Sequence, residues 1–254
     1  MADEANDRQR RGIKLAFLIC SGWLVSLLVA LILPIDQGHP IVVMVAVGLR
    51  TFLQTGLFIV AHDAMHGSLA IEQPKLNRLI GHWCLVVYAG LSFSACQANH
   101  QRHHLAPATE MDPDFGGLSN TSVLSWYLNF LSNYLCAQQL LKLGLIWTFL
   151  YLFANQFSPQ PGVSIGIFCV LPLVFSSLQL FLFGTYLPHR KTDPLKSEQT
   201  RSLYLPTLLS IASCYHFGYH REHHDNPTVP WFQLPTLRTT NSRCRTSSLN
   251  YSKV

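Results

Sequence analysis

The hydrophobic pattern along the chain predicts a bundle of membrane-crossing helices. Residues 15–33 form a run of nineteen without a charge, and a helix of that length, at ~1.5 Å per residue, nearly spans a hydrocarbon core ~30 Å thick. Three further segments are comparably apolar: residues 41–61, 140–157 and 163–187. Arg50 and Lys142 are the isolated charges within them. We therefore predict an all-α integral membrane protein with four transmembrane helices, the last of them containing Pro172 as a possible kink.

Shorter segments complete the predicted architecture. Residues 116–138 and 205–217 are amphipathic or too short to span, and are predicted to lie at the membrane interface. Residues 1–14 are predicted to be a flexible, basic cytoplasmic arm, and residues 236–254 a polar C-terminal tail. The intervening residues 15–235 are interpreted as one membrane domain.

Composition agrees with a membrane location. Hydrophobic residues make up 49% of the chain and charged residues 12%, about half the ~25% charged share of soluble domains. The net charge of +5 is better explained by cytoplasmic loops and lipid headgroups than by nucleic acid, so no nucleic-acid partner is expected. The seven cysteines contain no CxxC pair and are interpreted as packing residues.

Eight of the twelve histidines fall in three short boxes. The boxes are His62/His66, His100/His103/His104 and His220/His223/His224. Since residues three and four apart share a helix face, each box is expected to present its imidazoles as one patch. Imidazole is a common transition-metal ligand, and the three boxes supply enough nitrogens for two ions. An all-nitrogen ligand set by itself suits zinc, copper, nickel or iron.

Other histidines and nearby carboxylates extend the predicted site. His189 follows the fourth span and is a candidate ninth ligand, whereas His216 is favoured as a hydrogen-bonding or packing residue; His39 and His82 are not expected to take part. Ligand histidines usually donate their second ring N–H to a carboxylate or carbonyl. Five carboxylates beside the boxes are candidates for that function: Asp63, Asp112, Asp114, Glu222 and Asp225.

Charge and parity predict the topology. The first two boxes must lie on one side of the membrane to share a site, so the apolar segment 79–98 between them is predicted to be interfacial or re-entrant. Loops 34–40, which contains Asp36, and 157–163 lack Lys and Arg. Basic residues concentrate in the regions that hold the boxes: Lys75, Arg78, Arg102, Arg190, Lys191, Lys196, Arg201 and Arg221. The positive-inside rule therefore places the metal site and both termini in the cytoplasm.

Three histidine boxes on a four-helix membrane protein resemble the membrane fatty-acid desaturase and hydroxylase superfamily. Longer strings resemble, within it, the bacterial-type β-carotene ketolases: HDAMHG at 62–67, HQRHH at 100–104, DPDF at 112–115, FGTYLPHR at 183–190 and HREHHDNPTVPWFQLP at 220–235. The resemblance covers roughly residues 50–235. It implies a di-iron centre of two Fe²⁺ ions, O₂ as co-substrate and a ferredoxin-like electron donor.

The resemblance also implies a substrate and a reaction. β-Carotene, a hydrocarbon about as long as the ~30 Å membrane core, would enter from the lipid, and two successive hydroxylations at C4 of a β-ionone ring, followed by loss of water, would give the ketone. Oxidation of both rings would give canthaxanthin by way of echinenone. Nine aromatic residues are candidates to line the substrate path: Phe17, Trp23, Phe52, Phe58, Trp147, Phe149, Phe175, Phe181 and Phe183.

Other functions remain open at this point. A carotenoid 3-hydroxylase, a fatty-acyl desaturase or an alkane hydroxylase would use the same scaffold, and a product assay separates them. A histidine-rich membrane metal transporter is a more distant alternative. It predicts ligands along a path through the membrane, whereas these boxes lie at the ends of apolar segments.

Overall fold

The computed structural model describes residues 2–34, 37–116, 122–190 and 200–238. Within these residues the regular elements are all helical. The main helices are α1 (Ala2–Ile32), α2 (Pro40–Met65), α3 (Pro74–Ala89), α4 (Phe93–Leu105), α5 (Val123–Tyr134), α6 (Ala137–Ala154), α7 (Pro161–His189), α8 (Thr207–Cys214) and α9 (His220–Asp225). Asp36, Lys191, Lys196 and most of the predicted polar tail lie outside the described residues.

Four helices are long and apolar enough to cross a membrane, as predicted: α1, α2, α6 and α7. Large apolar side chains on their outer faces stay exposed in the folded chain, among them Met44, Phe149 and Leu171. Such a surface is stable against lipid but not against water. The all-α membrane fold is therefore confirmed.

The N-terminal residues are not the flexible arm that their polarity predicted. They continue α1 as helix and pack against the segments around the metal site. Gln9 is buried and its Oε1 accepts a hydrogen bond from the Glu72 backbone N–H at 2.8 Å, and the Arg11 guanidinium lies 5.1 Å from the centre of the Phe232 ring. Tertiary contacts of this kind stabilise a helix whose sequence has little apolar character of its own.

Helices α3 and α4 form a sharply bent pair between the first two histidine boxes. The bend is 99° and follows Gly90, which ends α3 with a φ of 66°, a left-handed conformation that glycine adopts without steric cost. Neither helix, at ~1.5 Å per residue, reaches ~30 Å by itself. Because His66 and His100 meet at 2.7 Å between their Nε2 atoms, the chain returns to the end of the bundle that it left, in agreement with a re-entrant segment.

Gly81 allows this pair to approach α2. A Cβ atom at this position would lie 2.4 Å from the Phe93 ring and 2.7 Å from the Cβ of Ala64. A side chain here would therefore separate α3 from both α2 and α4, the helices that carry the first two boxes.

Helix α7 contains two π-helical stretches, Gly166–Val170 and Leu180–Tyr186. Pro172 follows the first stretch and has no N–H to donate to the carbonyl of Phe168, four residues earlier. The buried side chain of Arg50 compensates, since its Nε donates to that carbonyl at 3.0 Å. Arg50 Nη1 also donates to the Trp23 carbonyl at 2.9 Å and to Ser26 Oγ at 3.2 Å. The isolated charge of α2 thus joins three helices, α1, α2 and α7.

Candidate metal centre

The first box lies at the end of α2, where neighbouring helices hold the backbone in place. Asn77 Nδ2 donates to the Ala64 carbonyl at 2.7 Å, and Gln97 Nε2 donates to the Met65 carbonyl at 2.9 Å. These bonds satisfy carbonyls in the last turn of the helix, which lack partners within it. His62 and His66 are thereby fixed beside α4, which carries the second box.

The structure brings all nine predicted ligand histidines together, in two clusters. Cluster I contains His62, His66, His100, His104 and His223. Cluster II contains His103, His189, His220 and His224. His189, from the end of α7, is thus grouped with the third box. Within each cluster one nitrogen of every ring lies within 4.8 Å of all the others.

The second and third boxes are each divided between the clusters, so the expectation of one patch per box is wrong in detail. In each box the first and last histidines enter one cluster and the middle one enters the other: His103 joins cluster II, and His223 joins cluster I. A helix turns about 100° per residue, so positions i and i+4 are about 40° apart, whereas i+3 and i+4 are about 100° apart. The spacing HxxHH therefore serves two sites from a single helical turn.

The nitrogen positions fit a metal ion in each cluster. In cluster I, His100 Nε2 is 2.7 Å from His66 Nε2 and 3.1 Å from His104 Nε2, which is 3.0 Å from His223 Nε2. In cluster II the Nε2 separations are 2.7 Å for His189–His220, 3.0 Å for His220–His224 and 3.1 Å for His103–His224. Two nitrogens at right angles around a metal, each about 2.1 Å from it, are about 3.0 Å apart.

A buried nitrogen without a hydrogen-bond partner and the lowered pKa values of several rings also support metal binding in the clusters. His62 Nε2 is fully buried and has no hydrogen-bond partner in the part of the chain that the structure describes. Burial, followed by the neighbouring histidines, lowers the pKa of His220 and of His223 well below the usual value, and burial lowers the pKa of His66 to about 4. These rings are neutral near pH 7, and a neutral imidazole has the lone pair that a metal requires.

Asp112 orients one of these rings. Its two carboxylate oxygens lie 2.9 and 3.0 Å from His103 Nδ1, so Nδ1 carries the proton and Nε2 faces cluster II. Burial acts to lower the pKa of His103, but the hydrogen bond to Asp112 and the charge of Asp114 outweigh it and raise the pKa. Asp112 also accepts hydrogen bonds from the Ala108 and Asp114 backbone N–H groups, at 2.9 and 2.8 Å.

The other candidate carboxylates take different positions. Asp63 is buried next to His62, at 3.6 Å from its Nδ1, and accepts a hydrogen bond from the Trp231 N–H at 3.2 Å. Asp114 is buried with its Oδ2 4.0 Å from His103 Nδ1, and its Oδ1 accepts a hydrogen bond from the Tyr134 hydroxyl at 2.7 Å. Burial raises the pKa of Asp114 to about 6.

Glu222 and Asp225 do not act as predicted. Glu222 accepts a hydrogen bond from Ser202 Oγ, and the exposed Asp225 pairs with Arg221 at 3.9 Å. Both residues belong to α9 but lie away from the face that carries its three histidines, because at about 100° per residue neither is spaced three or four from His220. The structure gives them no contact with a clustered histidine among the described residues.

Two adjoining cavities lie beside the clusters. The inner cavity has a volume of about 40 Å³ and is lined by histidines of both clusters, His62 and His100 from one and His103 and His220 from the other. The apolar cavity has a volume of about 220 Å³ and extends between α2, α3, α5, α6 and α7. The two cavities share four lining residues: Phe58, Phe130, Tyr134 and Leu180.

The family model described as fatty acid desaturase matches residues 38–142 and 133–253, which together contain all nine clustered histidines. The chain belongs to the fatty acid desaturase family. Comparison with individual proteins shows which members of this family the chain is similar to.

Two bacterial members of the family are similar along nearly their whole length. A β-carotene ketolase of Paracoccus sp. (strain PC1) is 39% identical over 235 residues, covering 91% of this chain and 93% of the relative. One from Paracoccus sp. (strain N81106 / MBIC 01143) is 37% identical, with coverages of 87% and 89%. A β-carotene ketolase of the alga Haematococcus lacustris is 34% identical over 76% of this chain and 61% of its own length.

Only two of the nine aromatic residues predicted to line a substrate path line either of the two cavities in this chain. Phe58 and Trp147 line the apolar cavity. Phe17 and Phe149 are each 69% exposed on the outer surface, and Phe175 is also exposed. Four others pack elsewhere: Phe52 stacks on Tyr215, Trp23 hydrogen-bonds Gln54, Phe181 packs against Trp126, and Phe183 packs against the core. Helical periodicity alone does not distinguish a lipid-facing ring from a cavity-lining ring.

His216 stands apart from the histidine clusters, whereas Tyr134 lines both cavities beside them. His216 lies outside both clusters: its Nδ1 is 3.1 Å from Ser210 Oγ, and its ring packs against Trp231. Tyr134, which sequence reasoning assigned only to an interfacial helix, lines both cavities and hydrogen-bonds Asp114. Its position as the last residue of the amphipathic helix α5 is the only sequence signal that could have drawn attention to it.

Proposed function

We propose that this protein is a β-carotene ketolase, which oxidises the C4 methylene of a β-ionone ring to a ketone. The observation that carries the proposal is the contact between the inner cavity, lined by both histidine clusters, and the apolar cavity. A hydrocarbon end group in the apolar cavity would lie against the four residues that also line the inner cavity, next to the clusters. The similarity to curated β-carotene ketolases over most of the chain supports the same reaction.

The nine clustered histidines are proposed to hold two iron ions, one in each cluster, which would supply the activation of O₂. Iron, among the metals that accept imidazole ligands, is favoured by the resemblance of the boxes to this family. Each hydroxylation replaces one C4–H bond by C4–OH, takes one atom from O₂ and releases the other as water, with two electrons from a ferredoxin-like donor and two protons from the solvent. The second hydroxylation gives a geminal diol that loses water to the ketone.

The side chains of the protein position and isolate this chemistry. Asp112 holds His103 with Nε2 directed into cluster II. The Phe217 ring packs 4.6 Å from the His62 ring, between centroids, and closes the inner cavity from one side. The wall of the apolar cavity is formed mainly by Leu, Phe and Tyr side chains, which exclude water and favour a hydrocarbon.

The orientation in the membrane is part of the proposal. With four crossings both termini lie on one side of the membrane, and we propose that this side, which also holds the histidine clusters, is the cytoplasm, where a soluble electron donor has access. The absence of Lys and Arg from loops 34–40 and 157–163 supports this orientation. The apolar cavity, which lies among the spans, would receive the carotenoid from the bilayer.

Expression in a β-carotene-accumulating bacterium tests the function. Extracted pigments should contain echinenone and canthaxanthin, in which each oxidised ring has gained one oxygen atom and lost two hydrogen atoms. The variant His103→Ala should leave β-carotene unchanged. Zeaxanthin in place of ketones would contradict the C4 position, and unchanged β-carotene in cells that contain the inserted, metal-loaded wild type would contradict the substrate.

A further inference from the structure

The two oxidation steps of the proposed ketolase act on chemically different molecules. The first acts on a hydrocarbon ring without any hydrogen-bonding group, and the second acts on a ring that carries a hydroxyl at C4. An alcohol in an apolar cavity loses its hydrogen bonds to water unless the protein replaces them. A polar group near C4 that replaces these hydrogen bonds would therefore help to retain the intermediate between the two steps.

The junction of the two cavities contains such a group. Tyr134 lines both cavities, and its hydroxyl donates to Asp114 Oδ1 at 2.7 Å. Asp114 also lines the inner cavity. The Asp114 backbone is fixed by two hydrogen bonds, since its carbonyl accepts from Trp126 Nε1 at 2.7 Å and its N–H donates to Asp112 Oδ1 at 2.8 Å.

The hydrogen bond between these two side chains leaves acceptors but no donor facing the cavity. The Tyr134 proton is used on Asp114, so the phenol oxygen retains its lone pairs, and Asp114 Oδ2 lies 4.0 Å from His103 Nδ1, too far for a hydrogen bond. A C4 hydroxyl supplies the matching O–H donor, whereas an unoxidised ring supplies none. The pair therefore distinguishes the intermediate from β-carotene.

We propose that the Tyr134–Asp114 pair accepts a hydrogen bond from the C4 hydroxyl of the first product and so retains it for the second hydroxylation. This proposal rests on the ketolase function. The pair takes no part in bond making: it holds the C4–OH group while the remaining C4–H bond faces the histidine clusters. Loss of the pair should convert a ketolase partly into a 4-hydroxylase.

The apolar cavity offers a matched comparison within the same helix. Tyr127 also belongs to α5 and lines the apolar cavity, but it is absent from the lining of the inner cavity, and its hydroxyl lies 2.6 Å from Ser177 Oγ. Tyr127→Phe and Tyr134→Phe each remove one phenolic hydroxyl. Only the second removes it next to the histidine clusters.

Carotenoid binding without turnover tests the proposal directly. The iron-loaded protein, kept without a reductant, is titrated with 4-hydroxy-β-carotene and, as the control ligand, with its 3-hydroxy isomer, which partitions similarly into detergent. Binding is followed by the quenching of tryptophan fluorescence, because Trp147 lines the apolar cavity. The wild type should bind the 4-hydroxy compound about fivefold more tightly, the effect of roughly one hydrogen bond. Tyr134→Phe should abolish this preference and Tyr127→Phe should retain it. Equal binding of the two isomers by the wild type would overturn the proposal, whether or not any variant folds.

Product analysis gives a second, independent readout. In β-carotene-accumulating cells Tyr134→Phe should release 4-hydroxy carotenoids at the expense of ketones, at an unchanged iron content. A wild-type ratio of ketone to alcohol in Tyr134→Phe would overturn the proposal while leaving the ketolase function intact. Failure of the wild type to form any C4 product would instead overturn the function on which the proposal rests.

Discussion

Asp112 is the residue that most directly controls the orientation of a clustered histidine. Both of its oxygens accept from His103 Nδ1, which fixes the ring with Nε2 directed into cluster II. Carboxylates in this position commonly change metal affinity by about ten- to a hundredfold when they are replaced.

We therefore expect Asp112→Asn to bind metal in cluster II more weakly by about tenfold or more. Iron content measured after dialysis against increasing concentrations of a chelator checks this expectation. Asp225→Asn is the matched control, because Asp225 is exposed and pairs with Arg221, and it should lose iron at the same chelator concentration as the wild type. Equal iron retention by the two variants would show that Asp112 does not support a ligand.

The sequence predicted which histidines come together but not how they are divided between the two clusters. Box spacing indicated eight of the nine, and His189 followed from its place after the last span. The separation of His103 from His104, and of His223 from His224, depends on how α4 and α9 face each other. That packing brings together side chains distant in sequence, such as His103 and His224, which are 121 positions apart.

Among the elements, α7 shows how two separate sequence features become one interaction. Arg50 and Pro172 were each conspicuous, the first as a charge in an apolar helix and the second as a helix breaker. In the structure Arg50 donates to the Phe168 carbonyl that Pro172 cannot satisfy. Sequence alone could not pair them, because Arg50 and the Phe168 carbonyl, 118 positions apart, meet only after α2 and α7 pack together.

Arg50→Met should therefore destabilise the helix bundle without removing the metal. The variant keeps a long side chain but removes the donor to the buried Phe168 carbonyl, which costs about 1–3 kcal/mol. Arg50 lies about 18 Å along α2 from His62, at ~1.5 Å per residue. Thermal unfolding in detergent should show a clearly lower Tm, with a normal iron content in the protein that folds.

The exposed Arg10 on α1 provides the control for this experiment. Arg10→Met should unfold at the wild-type temperature. If Arg50→Met also does so, the hydrogen bonds of Arg50 to α1 and α7 contribute little to stability.

For the whole molecule, the packing of five helices creates the apolar cavity next to the clusters. Its walls come from α2, α3, α5, α6 and α7, together with short connecting segments. The sequence predicted the helices and the end at which the metal site lies, but only Phe58 and Trp147 of the aromatic candidates line this space. Which face of a span meets a cavity rather than lipid is fixed by its neighbours, so a wholly apolar helix carries little information about it.

Filling this cavity should block the substrate and spare the metal. Val174 lines the cavity and is 43% exposed, whereas Leu171, on the same helix, is 40% exposed and is not among its lining residues. We expect Val174→Trp to lower β-carotene conversion by about tenfold, because the larger side chain occupies cavity space, and Leu171→Trp to have a small effect. Pigment yield at matched protein and iron levels measures both, and similar yields from the two variants would argue that the substrate lies elsewhere.

If the nine histidines form two metal sites, the purified protein should bind two metal ions per chain. After anaerobic loading with Fe²⁺ and removal of excess metal, elemental analysis should give two irons per chain for the wild type, one for each cluster. The double variant His220→Ala/His224→Ala, which removes half of cluster II, should retain one. His216→Ala, which removes a buried histidine outside the clusters, should retain two. One iron in the wild type, or two in the double variant, would show that the two histidine clusters are not two separate iron sites.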